Sequence, residues 1–361
     1  MDMVEVREGA TRLVVPESPT SSGPGNSSMP VFYNPVMSVN RDMNVSFFRA
    51  LKRDSYDAID LLAGTGAAGV RLMNEVKADW NMVLNDVNPL AGGYIGRNLE
   101  LNGLEAEIME LPAHRAVGER RFDHIDIDPF GTPVPFVPHA VMATRHRGIV
   151  SVSATDTAVL CGTYQDASWR RYGVRTAKTP FKHEVGVRAL IAYVIRRFAE
   201  RDRAAEPCLA FADEHFYRTF FQVESGSKRT DALLKEVRFI GHVPETGERW
   251  VQEEPATGLI GPVWTGTLGR KALIGNMRPV SERCERLLGT LSEEVDMPPF
   301  HYNADEFGKA LEGRIPKMVD LLRVLKLAGF RSSPTHFSPT GFKTDATVQE
   351  IEETLTKSKK L

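Results

Sequence analysis

The chain has 361 residues, more than a single compact core usually organises, so two domains are expected. At 42% hydrophobic and 25% charged it has the composition of an ordinary globular protein, and a formal net charge of -2 gives nucleic-acid binding no support beyond local basic patches. Cys161, Cys208 and Cys284 are too few and too far apart for a disulfide framework or a zinc knuckle, the acidic start MDMVEVREG is no signal peptide, and no stretch is apolar enough to span a bilayer, which together point to a reducing, cytoplasmic compartment.

Residues 4–15 alternate enough for a strand or hairpin arm. The Ser/Gly/Pro stretch ESPTSSGPGNSSMP reads as a mobile loop, and a helix is expected over 40–53. From Tyr56 strand–turn–helix units begin. Strands are expected in YDAIDLLA, NMVLND, AEIMEL, FDHIDID and GIVSVSAT, with helices in GAAGVRLMNEV and PLAGGYIGRNLELNG. This alternation implies an α/β fold on a parallel sheet. Residues 184–204 carry Val187, Leu190, Ile191, Val194 and Ile195 at helical spacing. After ESGSKR, read as a junction, the rhythm weakens. A helix over 304–328 carries Ile315, Met318, Leu322 and Leu325 on one face and stops at Gly329. The tail EIEETLTKSKKL reads as a solvated helix.

The glycines of Asp60-Leu-Leu-Ala-Gly64-Thr-Gly66-Ala-Ala-Gly69 fall between a strand and a helix, where bare backbone can approach a ligand and helix N–H groups face the crevice. Asp86 follows Gly64 by 22 residues, at the end of the second strand, where an acid can hold ribose hydroxyls. The pair points to an adenosine cofactor and leaves NAD and S-adenosylmethionine both open. The bland reading, a tight turn with no ligand, leaves the spacing of glycines and acid as coincidence.

The fourth strand adds Asp126 and Asp128 and then Pro129-Phe130-Gly131. Strand C-termini line the ligand crevice of such sheets. The lone pair of a guanine exocyclic amine is delocalised into the ring. Asp128 and the Pro129 carbonyl could accept its N–H groups and leave the lone pair aimed at a methyl donor, with Phe130 stacked on the base. The bland reading makes Asp128 a cap for the next turn.

With these motifs the chain resembles the tRNA (guanine(26)-N2)-dimethyltransferase family. The resemblance rests also on Phe32-Tyr33-Asn34-Pro35, Asn40-Arg41-Asp42, Asn85-Asp86-Val87-Asn88-Pro89, Arg97-Asn98 and Ala154-Thr155-Asp156 with Leu160-Cys161-Gly162. Further on it rests on Gly261-Pro262-Val263-Trp264-Thr265-Gly266, Thr335-His336-Phe337-Ser338-Pro339 and Lys343-Thr344-Asp345-Ala346. It implies a class I methyltransferase (Rossmann-like) sheet over 1–235, followed by a smaller C-terminal α/β domain, 236–361, that binds tRNA. It implies S-adenosyl-L-methionine as cofactor and one or two methyl transfers to N2 of guanine 26. By motif match Arg41, Arg71 and Asp86 would contact the cofactor, alongside Asp60, Gly64 and Gly66. Asp128 and Pro129 would act on the amine, with Phe32 and Phe130 flanking the base.

Two departures stand out. Pro112-Ala113 occupies the place where the family commonly has an acid and Ala, which leaves adenine to backbone groups or to nearby Glu110. Residues 238–260 lack the cysteine pairs that build a zinc site in many members, so no metal is expected.

Residues 169–188 interleave Arg170, Arg171, Arg175, Lys178, Lys182 and Arg188 with Trp169, Tyr172 and Phe181, as an RNA contact or as a solvated loop. His183-Glu184 reads as a helix start. Arg331 to Lys343, around His336 and Phe337, reads as a tRNA-facing loop or a packed connection. Asp156 is expected to support the Asp128 loop. An NAD-dependent oxidoreductase would leave Asp128-Pro-Phe-Gly without a task. A non-catalytic tRNA-binding protein would bind tRNA without transferring methyl groups. None of these motifs encodes an oligomeric state.

Overall fold

The structure, a computed structural model, describes residues 3–17, 31–308 and 316–358. Most of the expected loop at 17–30, and Ile315, lie outside the described residues. A hairpin of β1 (Met3–Glu8) and β2 (Thr11–Pro16) comes first, then a short turn of 3-10 helix at Pro35–Met37 and α1 (Ser38–Leu51). The alternating units follow as β3 (Ser55–Asp60), α2 (Ala67–Glu75), β4 (Asp79–Asn85), α3 (Ala91–Asn102), β5 (Glu107–Met109), α4 (Ala113–Val117), β6 (Phe122–Ile127), α5 (Val137–Ala143) and β7 (Thr144–Ala154). Next are α6 (Thr157–Leu160), α7 (Gln165–Tyr172), α8 (Lys182–Ala199), β8 (Arg203–Asp213), β9 (Phe216–Ser225) and α9 (Ser227–Leu234). The remainder holds β10 (Val237–His242), β11 (Arg249–Gln252), β12 (Ile260–Trp264), α10 (Lys271–Asn276), α11 (Glu282–Glu294) and β13 (Tyr302–Asn303). A 3-10 turn at Ala304–Phe307, α12 (Met318–Leu327), β14 (Ser332–Pro334), β15 (Gly341–Thr344) and α13 (Val348–Ser358) complete it.

The central sheet runs β5-β4-β3-β6-β7-β9-β8. Its first five strands are parallel, because each connection crosses over through a helix or loop segment. β8 and β9 are joined through Glu214 and His215, and so short a link forces the antiparallel pairing seen there. One face of the sheet packs on α1, α2, α3 and the β1–β2 hairpin, the other on α4 to α8. Val152, Ile125 and Ile59 therefore have no contact with water. The segment after 236 joins both cores. Ile260, Val263 and Trp264 of β12 pack with α8, while Cys284, Leu288 and Leu291 of α11 pack with Met43 and Phe47 of α1. A third, smaller core holds Tyr302, Leu321, Leu325, Phe342, Ile351 and Leu355.

Four expectations change. The helix expected to reach 204 ends at Ala199. Asp202 takes a left-handed conformation (φ 51°), and from Arg203 the chain pairs as β8. ESGSKR leads directly into α9 rather than a bare junction. The single helix over 304–328 is instead a 3-10 turn and, separately, α12. Pro316 lacks the N–H that a continuing helix would need, which fits a fresh start at Met318. Gly329 (φ 94°) follows the end of α12 as expected. The C-terminal helix is not solvated all round, since Ile351 and Leu355 of α13 are buried against α12. Among the described residues no helix is long and apolar enough to cross a membrane.

Candidate active site

The parallel strands end on one edge, and the site is built there. After β3, Gly64 (φ 54°) and Gly66 (φ 77°) take conformations that L side chains avoid. Asp86, just past β4, accepts the Gly64 N–H (2.7 Å) and the Asn88 N–H (2.9 Å). Asn85 acts as a crossbar. Its amide donates to the carbonyls of Leu61 (3.0 Å) and Leu111 (2.9 Å), and its oxygen accepts the Leu111 N–H (3.1 Å). Three strand ends are thereby held in register around one crevice. Pro112 precedes α4 and Ala113 opens it, at the rim of that crevice. Glu110 is exposed, and a β-carbon on Gly92 would meet its carboxylate at 2.7 Å, near the start of α3.

Under the crevice lies an acidic floor. Burial, reinforced by Asp126 and Asp128, raises the Asp60 carboxyl well above its ordinary value. Burial would do the same to Asp126, but Arg218 outweighs it and holds that carboxyl below the usual range. Arg218, on β9, has no contact with water. It grips Asp126 with two bonds (2.8 and 3.0 Å) and donates to Ser153 (3.0 Å) and Asn44 (2.9 Å). Asp128 is raised, chiefly by burial; Arg218 opposes the rise and Asp126 adds to it. Asn40 donates to an Asp128 oxygen (3.2 Å), which orients the carboxylate.

Asp128 opens onto a cavity of about 150 Å³ walled by Phe32, Asn34, Pro129, Phe130, His215 and Phe216. Phe130 is 62% exposed, an unusual position for a large ring without a partner to cover it. The Phe32 and Phe130 rings meet edge to face, 5.9 Å between centroids. The expected flanking pair is thus together, beside Asp128 and Pro129. Thr155 braces the loop: its hydroxyl accepts the Gly131 N–H (2.6 Å) and its N–H donates to the Gly131 carbonyl (2.9 Å). Asp156 reaches the same loop one step removed. It accepts the Tyr172 hydroxyl (2.7 Å), whose oxygen lies 2.8 Å from the Thr132 hydroxyl.

Arg41 and Arg71 sit in a buried ionic knot. Glu8, at the end of β1, binds Arg41 at 2.7 and 2.5 Å, Arg71 at 3.2 Å and accepts the Tyr33 hydroxyl at 2.7 Å. Arg71 has no exposed side-chain surface and also pairs with Asp42 (2.7 Å) and Glu75 (2.8 Å). Burial would raise Glu8, but Arg41, Tyr33 and Arg71 outweigh it and hold its carboxyl at about 2. Arg41 also donates to the Asn34 carbonyl (3.2 Å), so the knot anchors the segment that carries Phe32.

The remaining candidates divide. Arg188 is buried in α8 and spends its guanidinium on Glu184 and on the carbonyls of Trp264 (3.0 Å) and Gly266 (2.7 Å), so it belongs to packing. Tyr172 and Phe181 are buried as well, whereas Trp169, Arg170, Arg175 and Lys178 are exposed. His336 packs: it bonds Glu294 and accepts the Ala212 N–H (3.1 Å). Glu184 does start α8, but it is also a hub. It accepts the N–H groups of Phe300 and His301 (2.9 Å each) and pairs with Lys343 (2.8 Å). Sequence reasoning missed Arg218, His215 and Glu8, and it quoted Asn40 in a motif without giving it a role. For Arg218 the available signal was a charge inside the apolar run FYRTFFQV. Among the described residues no cluster of three or more His, Cys, Asp or Glu side chains is arranged to hold a metal ion.

A family model described as N2,N2-dimethylguanosine tRNA methyltransferase matches residues 9–356. The chain is 35% identical over 372 residues to a tRNA (guanine(26)-N(2))-dimethyltransferase of Methanosphaerula palustris, covering 97% of this chain and 98% of that one. It is 36% identical over 353 residues to the enzyme of the same name from Pyrobaculum arsenaticum, covering 97% of each. The structure superposes on a complex of Trm1 from Pyrococcus horikoshii with S-adenosyl-L-methionine at a TM-score of 0.88, with 29% identity, covering 97% of this chain and 99% of that one. Sequence, fold and site agree: the chain belongs to the N2,N2-dimethylguanosine tRNA methyltransferase family.

Proposed function

We infer that this chain transfers methyl groups from S-adenosyl-L-methionine to N2 of guanine 26 in tRNA. The observation that carries the reading is Asp128 at a strand end, facing a cavity walled by Phe32 and Phe130, next to the glycine turn that meets Asp86. The crevice suits an adenosine cofactor. Gly64 and Gly66 leave the backbone bare, Asp86 offers a carboxylate to ribose hydroxyls, and Pro112 and Ala113 border the place for the adenine. When bound, the cofactor supplies an electrophilic methyl on a sulfonium. Asp60 and Asp86 give that cation acidic surroundings. Arg41 holds the segment at its rim, and Arg71 holds Arg41's partner Glu8 from behind.

The target amine is stacked inside the tRNA fold, so the base is extruded into the cavity, where Phe32 and Phe130 take its faces. The Asp128 carboxylate accepts one N2–H and the Pro129 carbonyl a second. The lone pair then points at the methyl, and the proton released from nitrogen goes to Asp128. The raised Asp128 carboxyl suits it to this task. Residues 236–361 form the unit that binds tRNA, and the reaction takes place in the cytoplasm. The oxidoreductase reading gives Asp128 and Phe130 nothing to do.

The test is labelled methyl transfer to unmodified tRNA followed by nucleoside analysis. N2-methylguanosine or N2,N2-dimethylguanosine at position 26 is expected. Asp128→Ala should lose transfer while keeping its melting temperature and its affinity for S-adenosylhomocysteine. Full activity in that variant would overturn the role given to Asp128.

A further inference from the structure

The cavity accounts for the reacting base but not for the strand on either side of it. Beside the cavity, residues 163–182 carry five basic residues against one acid, Asp166. Arg188, Tyr172 and Phe181 are committed to packing, and what remains exposed is a compact set on and around α7. Tyr164 is 60% exposed and Trp169 48%, with Arg170, Arg171, Arg175 and Lys178 around them. The Arg175 guanidinium lies 4.6 Å from the Trp169 ring centroid and supports it. The Arg175 backbone exchanges two hydrogen bonds with Gly261 (2.8 Å each), so its place is fixed by β12. A merely solvated charged face has no need of two open aromatic rings, one of them already backed by an arginine.

The surface is also tied to the chemistry. Asp156 accepts from Arg171 (3.1 Å) and from the Tyr172 hydroxyl (2.7 Å), and Tyr172 meets Thr132, next to Gly131 of the cavity wall. Three hydrogen bonds among four side chains thus fix α7 at a set offset from Asp128.

We propose that α7 and the turn after it form a docking wall for the RNA strand adjoining the extruded guanine. Trp169 stacks an unpaired neighbouring base, and Arg170, Arg175 and Lys178 pair with phosphates. The wall rests on the reading of tRNA as substrate and adds where the strand runs. Asp156 and Tyr172 act as positioning residues that hold the wall to the catalytic loop.

The experiment is equilibrium binding of unmodified tRNA to the full chain over a range of salt concentrations. Four variants are compared: Trp169→Ala, Trp169→Phe, the double change Arg170→Ala with Arg175→Ala, and Arg121→Ala. Arg121 is exposed at the opposite edge of the sheet, before β6, and serves as a charge control. Trp169→Ala should raise Kd about tenfold, with Trp169→Phe recovering most of it. The double change should flatten the salt dependence by roughly 0.7 to 0.9 in log–log slope per lost phosphate contact. Arg121→Ala should bind as wild type does, and cofactor affinity should be equal in all four. If the Trp169 and double variants bind tRNA with wild-type affinity and salt slope, the wall is wrong and the substrate reading stands. If the wild-type chain binds no tRNA, both fall together.

Discussion

Asp128 sits on an acidic floor whose charge is set by a single buried cation, Arg218. Among the described residues, Asp60, Asp126 and Asp128 share that floor with Arg218, while burial lowers His124 to about 4 and keeps it neutral. Only the carboxylate form of Asp128 can take the proton released from N2. Its raised carboxyl predicts that kcat climbs with pH along an acid limb whose midpoint lies above the ordinary 3.8. A midpoint at or below that value would assign the limb to another group. Glu8 makes the opposite case. Its carboxyl falls from 4.5 unfolded to about 2 folded, so its stabilisation is complete above the unfolded value and is lost as pH falls toward the folded one. Glu8→Gln should lower stability by roughly 3 to 5 kcal/mol at neutral pH, by leaving Arg41 and Arg71 short of a buried partner. Urea melts should show the gap to wild type shrinking in acid. A gap independent of pH would exclude the Glu8 carboxylate as its source. The place of Asp128 at the crevice could be read in the sequence because it ends a strand before Pro-Phe-Gly. Arg218 and Glu8 could not, because each acts through partners dozens of residues away, Asp126 for one and Arg41 and Arg71 for the other.

At the level of elements, alternation carried the reading from Tyr56 to Ala154 and failed where both faces of an element are buried. β9 lies inside the sheet and β8 at its edge, both largely buried, and FYRTFFQV shows none of the period-two polarity that marks a half-exposed strand. α8 is apolar nearly all round, so its periodicity did not mark its end, which is set by the turn at Asp202. α8 also bears the main joint of the C-terminal part. Glu184 gathers Phe300, His301, Lys343 and Arg188, and although burial alone would raise its carboxyl, Lys343, Arg188 and His301 hold it well below the ordinary range. Glu184→Ala should therefore cost roughly 3 to 5 kcal/mol, because four buried residues lose one partner at once. Chemical denaturation beside His183→Ala, a half-buried neighbour, gives the comparison; equal losses would deny the joint its importance.

Across the whole molecule, part of the chain after 236 merges with the central sheet: β12 completes the core around α8 and α11 the core around α1, while α12, α13 and β15 build the third core. Such packing joins residues far apart in the chain, which local periodicity does not record. One contact at the centre bears on the order of events. A β-carbon on Gly64 would stand 2.8 Å from the Phe32 carbonyl oxygen, so the cofactor turn and the wall of the base cavity share a seam. We predict that exchanging spent for fresh cofactor loosens that seam and releases the singly methylated guanine. Dimethylation should then be distributive. In a pulse–chase with excess unlabelled tRNA, free N2-methylguanosine tRNA should accumulate before the doubly methylated product, and its absence would mean that one encounter delivers both methyl groups.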